Sequence, residues 1–148
     1  MPAIPSRPIV SLASRLSEAA RGFLLQALAK AGHPDIEPCH GDIFAVLFSD
    51  EALSLTELAH RTGRCKSTVS VMVRRLTALG YLEKVRDEKD TRAVLIRLTD
   101  SGKALEPVFA SISAEMTGIL EEGLSTHELA MLEKLLSRSI VCFAKSSE

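Results

Sequence analysis

The sequence predicts a mostly α chain, α+β in class, with one small β-ribbon, and three observations predict it. Strong helix formers dominate, while aromatic residues make up 4% and Trp is absent. Apolar residues recur at helical spacing through both ends of the chain. In the middle, YLEKVR (81–86) and AVLIRL (93–98) have strand-like composition and flank the polar stretch DEKDTR. Burying that stretch would be costly, so it reads as the solvated tip of a hairpin.

Residues 1–8 hold three prolines and read as a loose arm. From about Ile9 to Ala31, Leu12, Leu16, Ala19, Ala20, Phe23, Leu24, Ala27 and Leu28 line one helical face, and Gly32-His33-Pro34 ends it. A second helix runs from about His40 to Ser49 through the apolar run IFAVLF. Ser54-Leu-Thr-Glu57 is a capping box that opens a third. A long helix is expected from about Asp100, with Leu105, Val108, Phe109, Ile112, Met116, Ile119 and Leu120 on one side. Pro107 is tolerable there only close to a first turn. Ser125-Thr-His-Glu128 caps a last helix bearing Leu129, Leu132, Leu135, Leu136, Ile140 and Phe143. At 148 residues and 46% apolar the chain reads as one domain, 1–148, with a core at 40–98.

The stretch from Leu55 to Lys103 carries the functional content. Leu58 and Ala59 share a face of the first short helix, and Gly63 stands where the chain must turn sharply. From Lys66 to Leu79 a second helix divides at 100° per residue. Val69, Met72, Val73, Leu76 and Leu79 fall on one side, and Ser67, Ser70, Val71, Arg74 and Ala78 on the other. The second face is small, hydroxylated and ends in arginine, which suits a helix entering a DNA major groove. Val71 has the shape to touch a thymine methyl, and Arg74 the reach for a guanine edge or a phosphate. Between 55 and 103 there are eleven Lys/Arg against six Asp/Glu, whereas the remainder holds seven against thirteen. A basic middle between acidic ends is the charge pattern of a DNA-contacting module on a non-contacting scaffold.

Other classes find little support. The longest apolar run, Ile43 to Phe48, is too short to cross a bilayer, and no signal-peptide core follows Met1. Three cysteines, at 39, 65 and 142, form no C-x-x-C and suit a reduced cytoplasm. There is no G-x-S-x-G, no phosphate-cradling glycine loop and no H-E-x-x-H, so no enzyme is expected, nor any cofactor. The competing classes are a winged-helix module that binds protein and an enzyme of unrecognised type.

The stretch resembles the winged helix-turn-helix of the MarR family of bacterial transcription regulators. The matching residues are Leu58-Ala59, Gly63, Ser67-Thr68-Val69-Ser70, Arg75-Leu76, Gly80-Tyr81-Leu82, Asp87, Asp90-x-Arg92, Val94 and Leu98-Thr99-x-x-Gly102. The wing signature D-x-x-D-x-R, then L-T-x-x-G, is intact. One departure is Val71, where many family members have a basic residue. The resemblance implies a homodimer whose outer helices, here 9–31 and 100–145, intertwine. It implies a pseudo-palindromic double-stranded DNA operator, with a recognition helix in each of two successive major grooves and wing arginines in the minor groove.

On that reading Lys66, Ser67, Thr68, Ser70, Val71, Arg74 and Arg75 contact DNA from the helix, and Lys84, Arg86, Lys89 and Arg92 from the wing. Arg92 would enter an electronegative minor groove, braced by the Asp90 carboxylate. Lys84, Arg86 and Lys89 would supply salt-dependent backbone contacts. The resemblance further implies a repressor released by a small-molecule effector or an oxidant. Cys65, before the recognition helix, and Cys39, beside His40, are the candidate redox-sensitive residues. With the other histidines scattered, no metal site is expected.

Overall fold

The computed structural model describes residues 7–146, so most of the expected proline-rich arm lies outside the described residues. In chain order the elements are α1 (Ile9–Lys30), a single 3-10 turn (Pro38–His40), α2 (Gly41–Ser49), α3 (Leu55–Thr62), α4 (Lys66–Ala78), β1 (Leu82–Arg86), β2 (Val94–Leu98), α5 (Asp100–Lys103), α6 (Glu106–Glu121) and α7 (Thr126–Lys145). The chain divides into two compact units, residues 1–112 and 113–148, with the boundary inside α6. No described helix is long and apolar enough to cross a membrane.

In the first unit the core is built from Ile43, Phe44 and Leu47 of α2, Leu58 and Ala59 of α3, and Val69, Met72, Val73 and Leu76 of α4. Leu82, Ile96, Leu98 and Leu105 close it from the ribbon side. Phe44 is fully buried and packs edge-on to Tyr81 and tilted against Phe109, with ring centroids 6.0 and 5.0 Å apart. Burying such side chains supplies the main stabilising term, at about 1.5–3 kcal/mol each.

The local signals account for the helix ends. The Ser54 hydroxyl accepts the Glu57 amide at 3.2 Å, and the Glu57 carboxylate accepts the Ser54 amide at 2.8 Å. Ser125 and Glu128 repeat this bond for bond at the start of α7. Ser54→Ala should therefore lower stability by about 1 kcal/mol, read by urea unfolding. A change within error would mean that tertiary packing alone fixes the start of α3. Gly63 ends α3 with a φ of 66°, the left-handed conformation that lets the Arg64 amide reach back to the Ala59 carbonyl at 3.2 Å.

Two features depart from the sequence reading. The long helix expected from Asp100 is broken into α5 and α6. Pro107, second residue of α6, has no amide to continue the ladder from α5, and so begins a helix rather than interrupting one. Leu79, expected on the buried face of α4, is 38% exposed, because the helix ends at Ala78 and Leu79 is its C-cap.

The ribbon pairs antiparallel with Leu82 opposite Leu98 and Arg86 opposite Val94. Leu53 adds an isolated antiparallel bridge to β2 that the sequence did not announce. It exchanges two backbone hydrogen bonds with Ile96, at 3.0 and 2.7 Å, and so stitches the α2–α3 connection to β2.

Candidate nucleic-acid interface

Helix α4 is held by its apolar face. Val69, Met72, Val73 and Leu76 are buried, while Ser67, Thr68, Val71, Arg74 and Arg75 are exposed and Ser70 is half-buried. Val71 is 62% exposed, an apolar residue left in solvent at the middle of the outward face. Leu58 and Ala59 of α3 lie in the same core as Val69 and Val73. The Ala59 side chain takes little room there, which allows two short helices to approach closely.

The start of the wing is clamped to the end of α4. Gly80, at φ 84°, lets the Tyr81 amide bond back to the Leu76 carbonyl at 3.0 Å. Thr99 then locks both ends of the ribbon together. Its amide donates to the Tyr81 carbonyl at 3.0 Å, and its hydroxyl donates to the Gly80 carbonyl at 2.6 Å. The same hydroxyl accepts the Gly102 amide at 3.2 Å and caps α5. Thus the L-T-x-x-G motif fixes the wing's base, and with it the placing of the tip relative to α4.

The tip is shaped by its two aspartates. Asp87 accepts the Lys89 amide at 2.9 Å, and Asp90 accepts the Arg92 amide at 3.0 Å. Each is a side-chain-to-backbone turn of the kind aspartate forms readily. The expected brace between Asp90 and Arg92 therefore exists, but on the Arg92 backbone rather than on its guanidinium. The short loop satisfies the carboxylate with the nearer amide and leaves the guanidinium in solvent.

Charge pairing sorts the basic residues. Among the described residues, Arg61 pairs with Asp50 at 2.7 Å, Arg64 with Asp42 at 2.8 Å, Arg75 with Glu37 at 3.5 Å, and Arg97 with Glu83 at 2.7 Å. Lys66, Arg74, Lys84, Arg86, Lys89 and Arg92 enter none of these pairs, and all six are exposed. Arg75, expected on DNA, instead reaches an acidic partner outside its own helix. The three other paired arginines are anchors that the sequence reading did not single out. Their partners are distant in sequence, and no local signal names them.

The cysteines differ in character. Cys65 is the exposed N-cap of α4, with its sulfur 3.3 Å from the Ser67 hydroxyl and 2.9 Å from that of Thr68. Hydrogen bonds from Ser67, then from the Thr68 side chain and amide, favour the thiolate and lower its pKa from 9.0 to about 7. Below that value Cys65 is a neutral thiol, and above it an anion. Its alkylation by iodoacetamide should accordingly rise with a midpoint near pH 7, followed by mass spectrometry of the labelled peptide. A midpoint near 9 would show that the two hydroxyls do not stabilise the anion.

Cys39 is half-buried, with its thiol 3.7 Å from the Glu37 carboxylate. Burial, and then the Glu37 charge, raise its pKa. His40 is buried and accepts the Glu37 amide at Nδ1 over 3.1 Å; burial lowers its pKa. Glu37 is the residue here that the sequence reading passed over. A crevice of about 460 Å³ lies alongside, lined in part by Arg21, Leu24, Glu37, Cys39 and Arg64.

Residues 43–102 match the family model of a winged helix DNA-binding domain. The chain is 32% identical over 94 residues to the HTH-type transcriptional regulator MgrA of Staphylococcus aureus, a match covering 64% of this chain and 60% of that protein. The chain thus spans less than two thirds of that relative's length. The structure is similar to that of the PcaV transcriptional regulator of Streptomyces coelicolor, solved with its natural ligand. The two are 27% identical, with a TM-score of 0.81 and full coverage of both chains. It shares its fold with a mutant of MarR from E. coli, solved with operator DNA, at 22% identity and a TM-score of 0.77, covering 89% of this chain and 93% of that one. With the wing signature, its clamped base and the helix pair all in place, the chain carries a winged helix DNA-binding domain over residues 43–102 and is similar in fold to PcaV and MarR.

Proposed function

We propose that the chain is a sequence-specific DNA-binding transcriptional regulator, acting as a homodimeric repressor released by a small ligand or an oxidant. The observation that carries this reading is the outward face of α4 beside the clamped basic wing. Lys66 and Arg74 of the helix and Lys84, Arg86, Lys89 and Arg92 of the ribbon and its tip are all exposed and enter none of the described ion pairs. Unpaired cations cost least to bring against phosphate, since no existing ion pair must break. A protein-binding module has no need of that arrangement, and nothing in it points to catalysis.

The homodimer is supported by apolar surface in each unit. Ile9, Leu12 and Leu16 of α1 are exposed, as are Met131, Leu132, Leu135, Ile140 and Val141 of α7. A twenty-residue amphipathic helix with no buried residue requires a cover, and a second copy of the chain supplies one. Release by an effector is supported by the crevice beside Glu37, whose volume suits a small molecule. PcaV, a regulator of this fold, was solved with its natural ligand. Release by an oxidant is supported by Cys65, where a thiolate-prone sulfur caps the helix proposed to enter the groove. A regulator of this kind works in the cytoplasm, beside the DNA it reads.

Selection of bound duplexes from a random library tests the reading. The bound pool should converge on a two-fold symmetric sequence. Recovery of unenriched DNA would reject sequence-specific binding.

A further inference from the structure

The turn between α1 and α2 draws three ligating side chains together. Glu37 caps the 3-10 turn, its amide bonded to His40 Nδ1 at 3.1 Å, and the chain folds back so that its carboxylate faces Cys39. One donor atom each from Glu37, Cys39 and His40 lies within 4.8 Å of the others. The same Glu37 carboxylate reaches Arg75 of α4, at 3.5 Å.

We infer that Glu37, Cys39 and His40 form a binding site for a thiophilic divalent cation of the zinc class, whose occupancy withdraws Glu37 from Arg75. The donor set is one sulfur, one imidazole nitrogen and one carboxylate oxygen, a combination that suits zinc or cobalt far better than magnesium or calcium. Tetrahedral zinc, with bonds of about 2.0–2.3 Å, holds its ligands about 3.3–3.8 Å apart. The cluster must therefore contract by about 1 Å, a small movement for an exposed carboxylate and a half-buried thiol on a turn.

The His40 lone pair at Nδ1 already points into the turn, and the cation takes it in place of the Glu37 amide hydrogen. The Cys39 thiol gives up its proton to solvent as the sulfur–metal bond forms. Three protein ligands leave a fourth position for water or an exchangeable group, as in sites that load and unload rather than structural ones. Glu37 and Cys39 also line the crevice, which provides a path for entry.

The alternative is an ordinary capped turn, with Glu37 serving only His40 and Arg75. What sets this turn apart is that a thiol lies against the same carboxylate that restrains an arginine of α4. Once the cation holds Glu37, Arg75 joins the unpaired cations of that helix. Metal capture is independent of the DNA reading. Its consequence, tighter DNA binding, rests on that reading.

The experiment uses the full chain with Cys65→Ser and Cys142→Ser, which leaves Cys39 as the only thiol. Cobalt(II) titration should produce a thiolate-to-cobalt absorption band that saturates at one ion per chain and is displaced by zinc. Cys39→Ser should abolish the band, and Glu37→Gln should weaken cobalt binding at least about tenfold, with the helical circular dichroism signal unchanged in both. No band, or equal affinity in Glu37→Gln, overturns the site. In a second arm, zinc should tighten binding to the selected duplex severalfold in this chain but not after Arg75→Ala. Cobalt binding without that shift overturns the coupling and leaves the site standing. Cobalt binding by a chain with no DNA affinity overturns the DNA reading and leaves the site standing.

Discussion

Gly102→Ala is expected to lower the unfolding free energy by at least about 3 kcal/mol, the upper end of the usual cost of overpacking. In thermal unfolding that corresponds to a fall of about 6–12 °C. An added Cβ would collide with the Tyr81 carbonyl oxygen and meet Leu98 Cδ2 at 3.0 Å. Neither neighbour can step aside cheaply. The Tyr81 oxygen accepts the Thr99 amide, and Leu98 is a buried member of the core. Moving either loosens Thr99, whose hydroxyl holds Gly80 and caps α5. Gly118→Ala is the control, since an added methyl there meets nothing within 4 Å on a helix. It should stabilise the protein by about 0.5–1 kcal/mol. Similar melting temperatures for the two variants would show that the wing's base is not the close contact described here.

Arg74→Ala and Arg92→Ala are each expected to weaken binding to the selected duplex about 5- to 100-fold, measured by fluorescence anisotropy. Both side chains are exposed and outside every described ion pair, so little besides the DNA interaction is lost with them. The two are separable by their signatures. A phosphate contact is lost evenly across sequences and reduces the salt slope by about one, whereas a base contact relaxes preference at one position. Arg97→Ala serves as the comparison, because Arg97 already holds Glu83 at 2.7 Å. It should change affinity by less than about threefold. Equal losses at Arg97 and Arg92 would mean that pairing within the fold does not sort these arginines.

The parts legible in the sequence are those governed by short-range chemistry. The capping boxes at Ser54 and Ser125 each span only three residues, and both formed as read. The apolar stripe of α4 was legible through Leu76 by periodicity alone. It failed at Leu79, where the helix had ended and periodicity no longer applied. The break between α5 and α6 was half-announced by Pro107. The apolar series begins only at Leu105, inside the break, and α5 itself, Asp-Ser-Gly-Lys, contributes nothing to the core, so periodicity carried no mark of the division. The wing signature gave the loop, yet the role of Asp90 turned on a choice between a backbone amide and a guanidinium that spacing cannot make.

Pairs formed across the fold stayed hidden. Arg64 with Asp42, and Arg75 with Glu37, depend on how α4 and the turn before it sit on α2 and α3. For the same reason Glu37 was missed beside Cys39 and His40, since a carboxylate on a loop carries no signal until the loop is folded.

A hydroxyl-radical footprint of the full chain on the selected duplex tests the central claim most directly. Two protected half-sites should appear with centres about one helical turn, roughly 10 base pairs, apart, with two chains bound per duplex. Protection should extend into a flanking minor groove and vanish there in Arg92→Ala. A single protected half-site occupied by one chain, or a minor groove equally protected without Arg92, would contradict the account.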